Sequence, residues 1–167
     1  MRRKIAVIGA GMVGGTCAQL LAMKGYCDVV LLDIVEGLAE GKALDISQSL
    51  PVIGSDARIT GTCTYEDVAG ADIIVVTSGV ARKPGMTRED LVLTNMNVIK
   101  GVCESVAEVA PESIVVMVTN PLDAMVQLAL RVTGFPRERV IGQSGVLDSA
   151  RLRMFIASEL EIGRAHV

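Results

Sequence analysis

The chain has 167 residues, half of them hydrophobic, with no Trp and 2% aromatic residues, so its core must be built from Val, Ile, Leu, Ala and Met. That length suits one domain, or one domain and the start of a second, and the apolar content excludes intrinsic disorder. Sixteen Lys and Arg against nineteen Asp and Glu give a formal charge of -3 with no basic run longer than Arg2-Arg3-Lys4, which argues against a nucleic-acid binder.

Short runs rich in β-branched residues, bounded by turn residues, alternate with longer segments of helical length. The first expected strand covers residues 4–8 and runs into Gly9-Ala10-Gly11-Met12-Val13-Gly14, which opens an expected helix over 12–24. This is GxGxxG between a strand and a helix, the context in which it binds a dinucleotide. Gly9 permits the tight turn, Gly11 lets backbone approach a pyrophosphate, and Gly14 lets the helix pack on the strand. The uncharged stretch 5–23 behind Arg2-Arg3-Lys4 also suits a secretory signal or a membrane span. Its four glycines, Thr16 and Gln19 interrupt an apolar helix, so a cytoplasmic protein outside the membrane is the expectation.

The second strand is expected over 28–32 and ends at Asp33, twenty-four residues after Gly9, where an acid accepts hydrogen bonds from the adenine ribose and repels the 2′-phosphate of NADP. NAD is therefore the expected cofactor. A helix over 35–49 follows, then strands over 58–62 and 72–76. Beyond the fourth strand lies a polar loop carrying Arg82 and Arg88, with Pro84 and Gly85 inside it, that could close over an anion or serve simply as solvated surface. Thr87 and Asp90 have the spacing of a capping box for a helix over 88–109, which Pro111 closes. A strand over 113–118, a helix over 122–132 opened by Pro121, and a strand over 139–141 complete the series. Runs such as Ile73-Ile74-Val75-Val76 are apolar at every position, as strands covered on both faces require. The fold class is α/β: a doubly wound, mostly parallel six-stranded sheet in the order 3-2-1-4-5-6 with helices on both faces.

Cys17, Cys27, Cys63 and Cys103 contain no CxxC and have no nearby His, so they read as buried thiols, with no metal site and no disulfide framework.

Five segments in order and spacing resemble the lactate/malate dehydrogenase family: Gly9 to Gly14, Asp33, the loop from Gly79 to Arg88, Val118-Thr119-Asn120-Pro121-Leu122-Asp123, and Gly145-Val146-Leu147-Asp148-Ser149-Ala150-Arg151. The likeness is strongest to its lactate-dehydrogenase-like malate dehydrogenases and covers about the first half of such an enzyme. It implies that Arg88 polarises the substrate carbonyl and that Arg151 holds the substrate's C1 carboxylate in a two-pronged pair. It implies that Asn120 hydrogen-bonds the reacting hydroxyl beside the nicotinamide, that Asp148 orients the catalytic histidine, and that Asn95, Val118 and Thr119 line the cofactor. Arg82 stands where the family's lactate enzymes usually carry Gln, so the resemblance implies a dicarboxylate substrate, malate or oxaloacetate. Lactate dehydrogenase remains the alternative within the family, and a non-catalytic dinucleotide-binding module the alternative outside it. A homo-oligomer, dimer or tetramer, is also implied.

The family's acid/base histidine lies in a Gly-x-His-Gly-Asp segment that this sequence does not contain. Its single histidine, His166, lacks that context, so the chain alone is expected to be inactive. Residues 1–143 are read as the NAD-binding domain and 144–160 as the first helix of a substrate domain. Residues 161–167 are read as a non-native tail, because one back-translation of them resembles a sequencing adapter.

Overall fold

The computed structural model describes residues 2–162. Six strands form one sheet in the order β3-β2-β1-β4-β5-β6: β1 (Arg3–Ile8), β2 (Cys27–Leu32), β3 (Ile59–Thr62), β4 (Ile73–Val76), β5 (Ile114–Met117) and β6 (Val140–Gly142). All five pairings are parallel, so the expected order holds and, among the described residues, the sheet has no antiparallel edge.

Five helices connect or follow the strands: α1 (Met12–Lys24), α2 (Leu38–Ser49), α3 (Arg88–Val109), α4 (Leu122–Thr133) and α5 (Gly145–Glu159). Alternate residues of each strand point to opposite faces. Ala6, Ile8, Ile74, Val76, Val115 and Met117 pack with Ile99, Val102 and Val106 of α3 and Met125 and Ala129 of α4. Val7, Val29 and Leu31 pack on the other face with Ala18 and Ala22 of α1 and Ala39, Ala43 and Ile46 of α2. Two separate cores explain why these strands lack a polar face. They also explain how so few aromatics suffice, since alanines on α1 and α2 bring those helices close to the sheet.

Three expectations need correction. Helix α2 starts at Leu38 rather than at residue 35, because Val35 N–H is taken by Asp33 Oδ1 at 3.0 Å and Gly37 has φ +79, which holds the preceding residues in a turn. Short 3-10 turns at Leu50–Ile53, Tyr65–Val68 and Arg137–Arg139 were not expected. Cys63 is exposed in the turn after β3, whereas Cys27 and Cys103 are buried and Cys17 is half-buried.

The uncharged stretch at the N-terminus divides into β1, the glycine turn and α1, and no described helix is long and apolar enough to cross a membrane. His166 lies outside the described residues, as does most of the expected tail.

Candidate functional site

Ile8 of β1 is in register with Leu32 of β2 and Val76 of β4, so three strands end together at the point where the crossovers diverge to the two halves of the sheet. Ligands of such sheets bind in the crevice outside these carboxyl ends. Gly9 turns the chain here with φ +103, and its N–H donates to Leu32 O at 2.8 Å. A side chain on Gly9 would fall 2.8 Å from the backbone nitrogen of Ser78, and one on Gly14 would overlap the carbonyl oxygen of Gly9. The first turn of α1 is therefore pressed against the strand that feeds it.

Gly11 is the N-cap of α1 and has no side chain to occupy the helix's leading N–H groups. Met12, beside it, is 84% exposed. An open helix end of this kind carries partial positive charge and unpaired donors, and so can hold a phosphate.

Asp33 follows β2 and closes over the same turn. Its Oδ2 accepts the Ala10 N–H at 2.6 Å. A carboxylate has about four lone-pair sites, so the half-buried group retains acceptors for ribose hydroxyls. Ile34 next to it is 87% exposed, an apolar surface beside the acid that a flat nucleobase would cover. The sequence reading passed over it, although two β-branched residues between an acid and a Glu-Gly turn are a visible oddity.

Two further residues hold the turn and were also missed. Thr77, just past β4, places its hydroxyl 3.0 Å from Gly9 O, and Lys42 of α2 donates to Ala10 O at 2.6 Å. Neither sits in a motif, so no local pattern marks them.

The loops after β4 and β5 are tied together by buried polar side chains. Thr119 Oγ1 donates to Ser78 O at 2.6 Å. Asn95 of α3 is 1% exposed; its Oδ1 accepts Val80 N–H at 2.8 Å, and its amide donates to Asn120 O at 2.7 Å. Asn95 thus braces the floor of the crevice through its whole amide. Val118 continues the ladder, donating its N–H to Val76 O at 2.9 Å, and Asn120 is exposed just before the cis bond to Pro121.

Arg82 and Arg88 are both exposed, one in the loop and one at the start of α3. Arg82 folds back on its own loop, its Nε donating to Met86 O at 3.0 Å. Arg88 is held by the helix start itself: Thr87 Oγ1 accepts Asp90 N–H at 3.1 Å and Asp90 Oδ2 accepts Thr87 N–H at 3.0 Å. The Thr87 hydroxyl also donates to Asp90 Oδ2 at 2.7 Å, and this bond, with that from the Thr87 N–H, keeps the Asp90 carboxyl below the usual carboxylate range. Asp148 and Arg151 pair with each other at 3.4 Å on the exposed face of α5. Among the described residues, no hydrogen bond or ion pair joins that pair to Arg82, Arg88 or Asn120.

Residues 3–142 match the family described as lactate/malate dehydrogenase, NAD-binding domain. The chain belongs to this family. The cofactor of this domain is NAD. The chain is 53% identical to a malate dehydrogenase of Thermomicrobium roseum over 97% of its own length and 52% of that protein's. Its fold is similar to the apo malate dehydrogenase of Picrophilus torridus, with a TM-score of 0.93 and 49% identity over 98% of this chain and 52% of that one. It is also similar to the lactate dehydrogenase of Cryptosporidium parvum complexed with lactic acid and NAD, with a TM-score of 0.92 and 41% identity over 98% of this chain and 51% of that one. The chain spans about half the length of the curated relatives it matches.

Proposed function

We propose that this chain is the cofactor-binding half of an NAD-dependent malate dehydrogenase. NAD, when bound, would supply hydride-transfer chemistry between its nicotinamide and the hydroxyl-bearing carbon of malate. The chain's own residues bind and orient. The α1 end takes the pyrophosphate and Asp33 the adenine ribose, while Val118, Thr119 and Asn120 form the crevice wall on which the nicotinamide rests.

Arg88 lends positive charge to the substrate oxygen as charge builds there, and Asn120 donates a hydrogen bond to the same oxygen. Arg151 grips the C1 carboxylate, a task that suits a planar guanidinium. Asp148 orients a histidine supplied from outside this sequence, so the 167 residues alone should show no turnover. We place residues 1–143 in the cofactor domain and α5 at the start of a substrate domain. Exposed Leu152, Phe155 and Ile156 support this, as an apolar helix face of this kind ordinarily meets a partner surface. A homo-oligomer belongs to the same reading on the strength of the resemblance, and a cytoplasmic location on the glycine-interrupted N-terminal stretch.

Arg82 carries the choice of malate. A guanidinium in this loop offers a second cation to the distal carboxylate, and facing a methyl group it would lose its water without gaining a partner. Lactate is the second reading, favoured by the likeness to a lactate dehydrogenase of known structure. In the complete dehydrogenase, Arg82→Gln should move the ratio of kcat/KM for oxaloacetate over pyruvate toward pyruvate by about tenfold or more. An unchanged ratio would remove Arg82 from substrate selection.

A further inference from the structure

Lys42 lies far from the glycine turn in sequence, yet its ammonium stands directly behind it. Nζ donates to Ala10 O at 2.6 Å and to Gly11 O at 3.3 Å. The packing of α2 brings it there: Ala39 and Ala43 are buried on the face of α2 that meets the sheet, which lets the helix approach closely. Gly15 of α1 lies alongside, where a Cβ would make ordinary contact, 3.4 Å, with Cδ and Nζ of Lys42.

A trans peptide unit is planar, with its C=O and N–H pointing in opposite directions. The two carbonyls that Lys42 holds belong to the same peptide units as the N–H groups of Gly11 and Met12. Fixing the carbonyls from the α2 side therefore aims those N–H groups the other way. A Cβ at Gly11 would meet nothing within 4 Å, so there is open space beside the turn. Asp33 secures the front of the turn through the Ala10 N–H, so Ala10 is held at both its polar atoms, by an anion on one side and a cation on the other.

We propose that Lys42 is a positioning residue for NAD: its ammonium holds the two peptide units of the glycine turn so that the Gly11 and Met12 N–H groups face the cofactor's pyrophosphate. The assignment rests on the dinucleotide reading of the site. Lys42 does not touch the cofactor, and its effect should be confined to ligands that carry the phosphates.

The test is a comparison of two ligands with the purified chain, NADH by fluorescence titration and adenosine by NMR titration. Loss of a charge-assisted bond to the turn should weaken NADH about tenfold in Lys42→Met. Adenosine, which has the ribose but no phosphate, should change by less than about twofold, because Asp33 still receives it. Lys42→Arg, which keeps a cationic donor of similar reach, should recover NADH binding to within about threefold. If the methionine variant does not fold, Lys42→Gln, shorter and uncharged, should give the same pattern. NADH affinity within about twofold of the parent in the folded variant would overturn the assignment, as would equal losses for both ligands, which are what a merely structural lysine gives. A parent chain that binds no NADH would overturn the cofactor reading along with it.

Discussion

Asp33 Oδ2 accepts the Ala10 N–H at 2.6 Å, so the acid that ends β2 and the turn that ends β1 form one unit. The acid proposed to select the ribose thus also shapes the turn proposed to take the phosphates. Replacing Asp33 with Ser removes the charge that repels a 2′-phosphate. The preference for NADH over NADPH should fall by about tenfold or more, with some loss of NADH affinity from the slackened turn. Parallel titrations with the two dinucleotides measure it, and an unchanged preference would show that Asp33 does not face the ribose.

Gly14 is a steric prediction rather than an electrostatic one. A Cβ there overlaps the carbonyl oxygen of Gly9, which is backbone and has no rotamer to escape into. Gly14→Ala should cost about 2 kcal/mol or more of stability, despite alanine's better helix propensity, as overpacking requires. Gly11→Ala is the control for stability, since its Cβ would meet nothing within 4 Å. Urea unfolding of the two variants should separate them clearly.

Asn95 holds the loops after β4 and β5 by bonds to Val80 and Asn120 while itself 1% exposed. Asn95→Leu is close in volume but takes the partner from the Val80 N–H and the Asn120 carbonyl; both belong to exposed residues, so each bond lost should cost about 1 kcal/mol. The variant should unfold at lower urea and lose NADH affinity. Parental stability would mean that water replaces the amide.

The capping box at the head of α3 gives a pH signature. The Asp90 carboxyl is held below its ordinary value by the Thr87 hydroxyl and N–H. A depressed carboxylate contributes stability above its unfolded pKa, about 3.9, and that contribution is lost as pH falls through the folded value. Order at the start of α3, and with it the position of Arg88, should therefore be constant near neutrality and fade below about pH 4. Amide NMR shifts of Thr87 across this range follow the change, and Asp90→Asn should abolish the dependence. Thr87→Ala should cost about 1 kcal/mol.

Much of the fold was legible because its rules are local. Uniformly apolar strands such as Ile73-Ile74-Val75-Val76 announce cover on both faces, and strand-helix alternation then fixes a parallel sheet. The glycine turn, Asp33 and the Thr87-Asp90 cap all stand within a few residues of the elements they serve. What was not legible depends on contacts between distant segments. Asn95 reads as one polar residue on a helix until two loops close over it, and Lys42 reads as a solvated helix lysine until α2 docks beside α1. Exposure of Cys63 likewise depends on how the turn after β3 leaves the sheet. The start of α2 was misplaced because Asp33 captures the Val35 N–H before a helix can begin there.

If these residues build an NAD site, a fluorescence titration of the purified chain with NADH will show it. A saturable signal that unlabelled NAD displaces and that Gly14→Ala abolishes is the expected result. A chain that is folded by circular dichroism yet gives no saturable signal would contradict it.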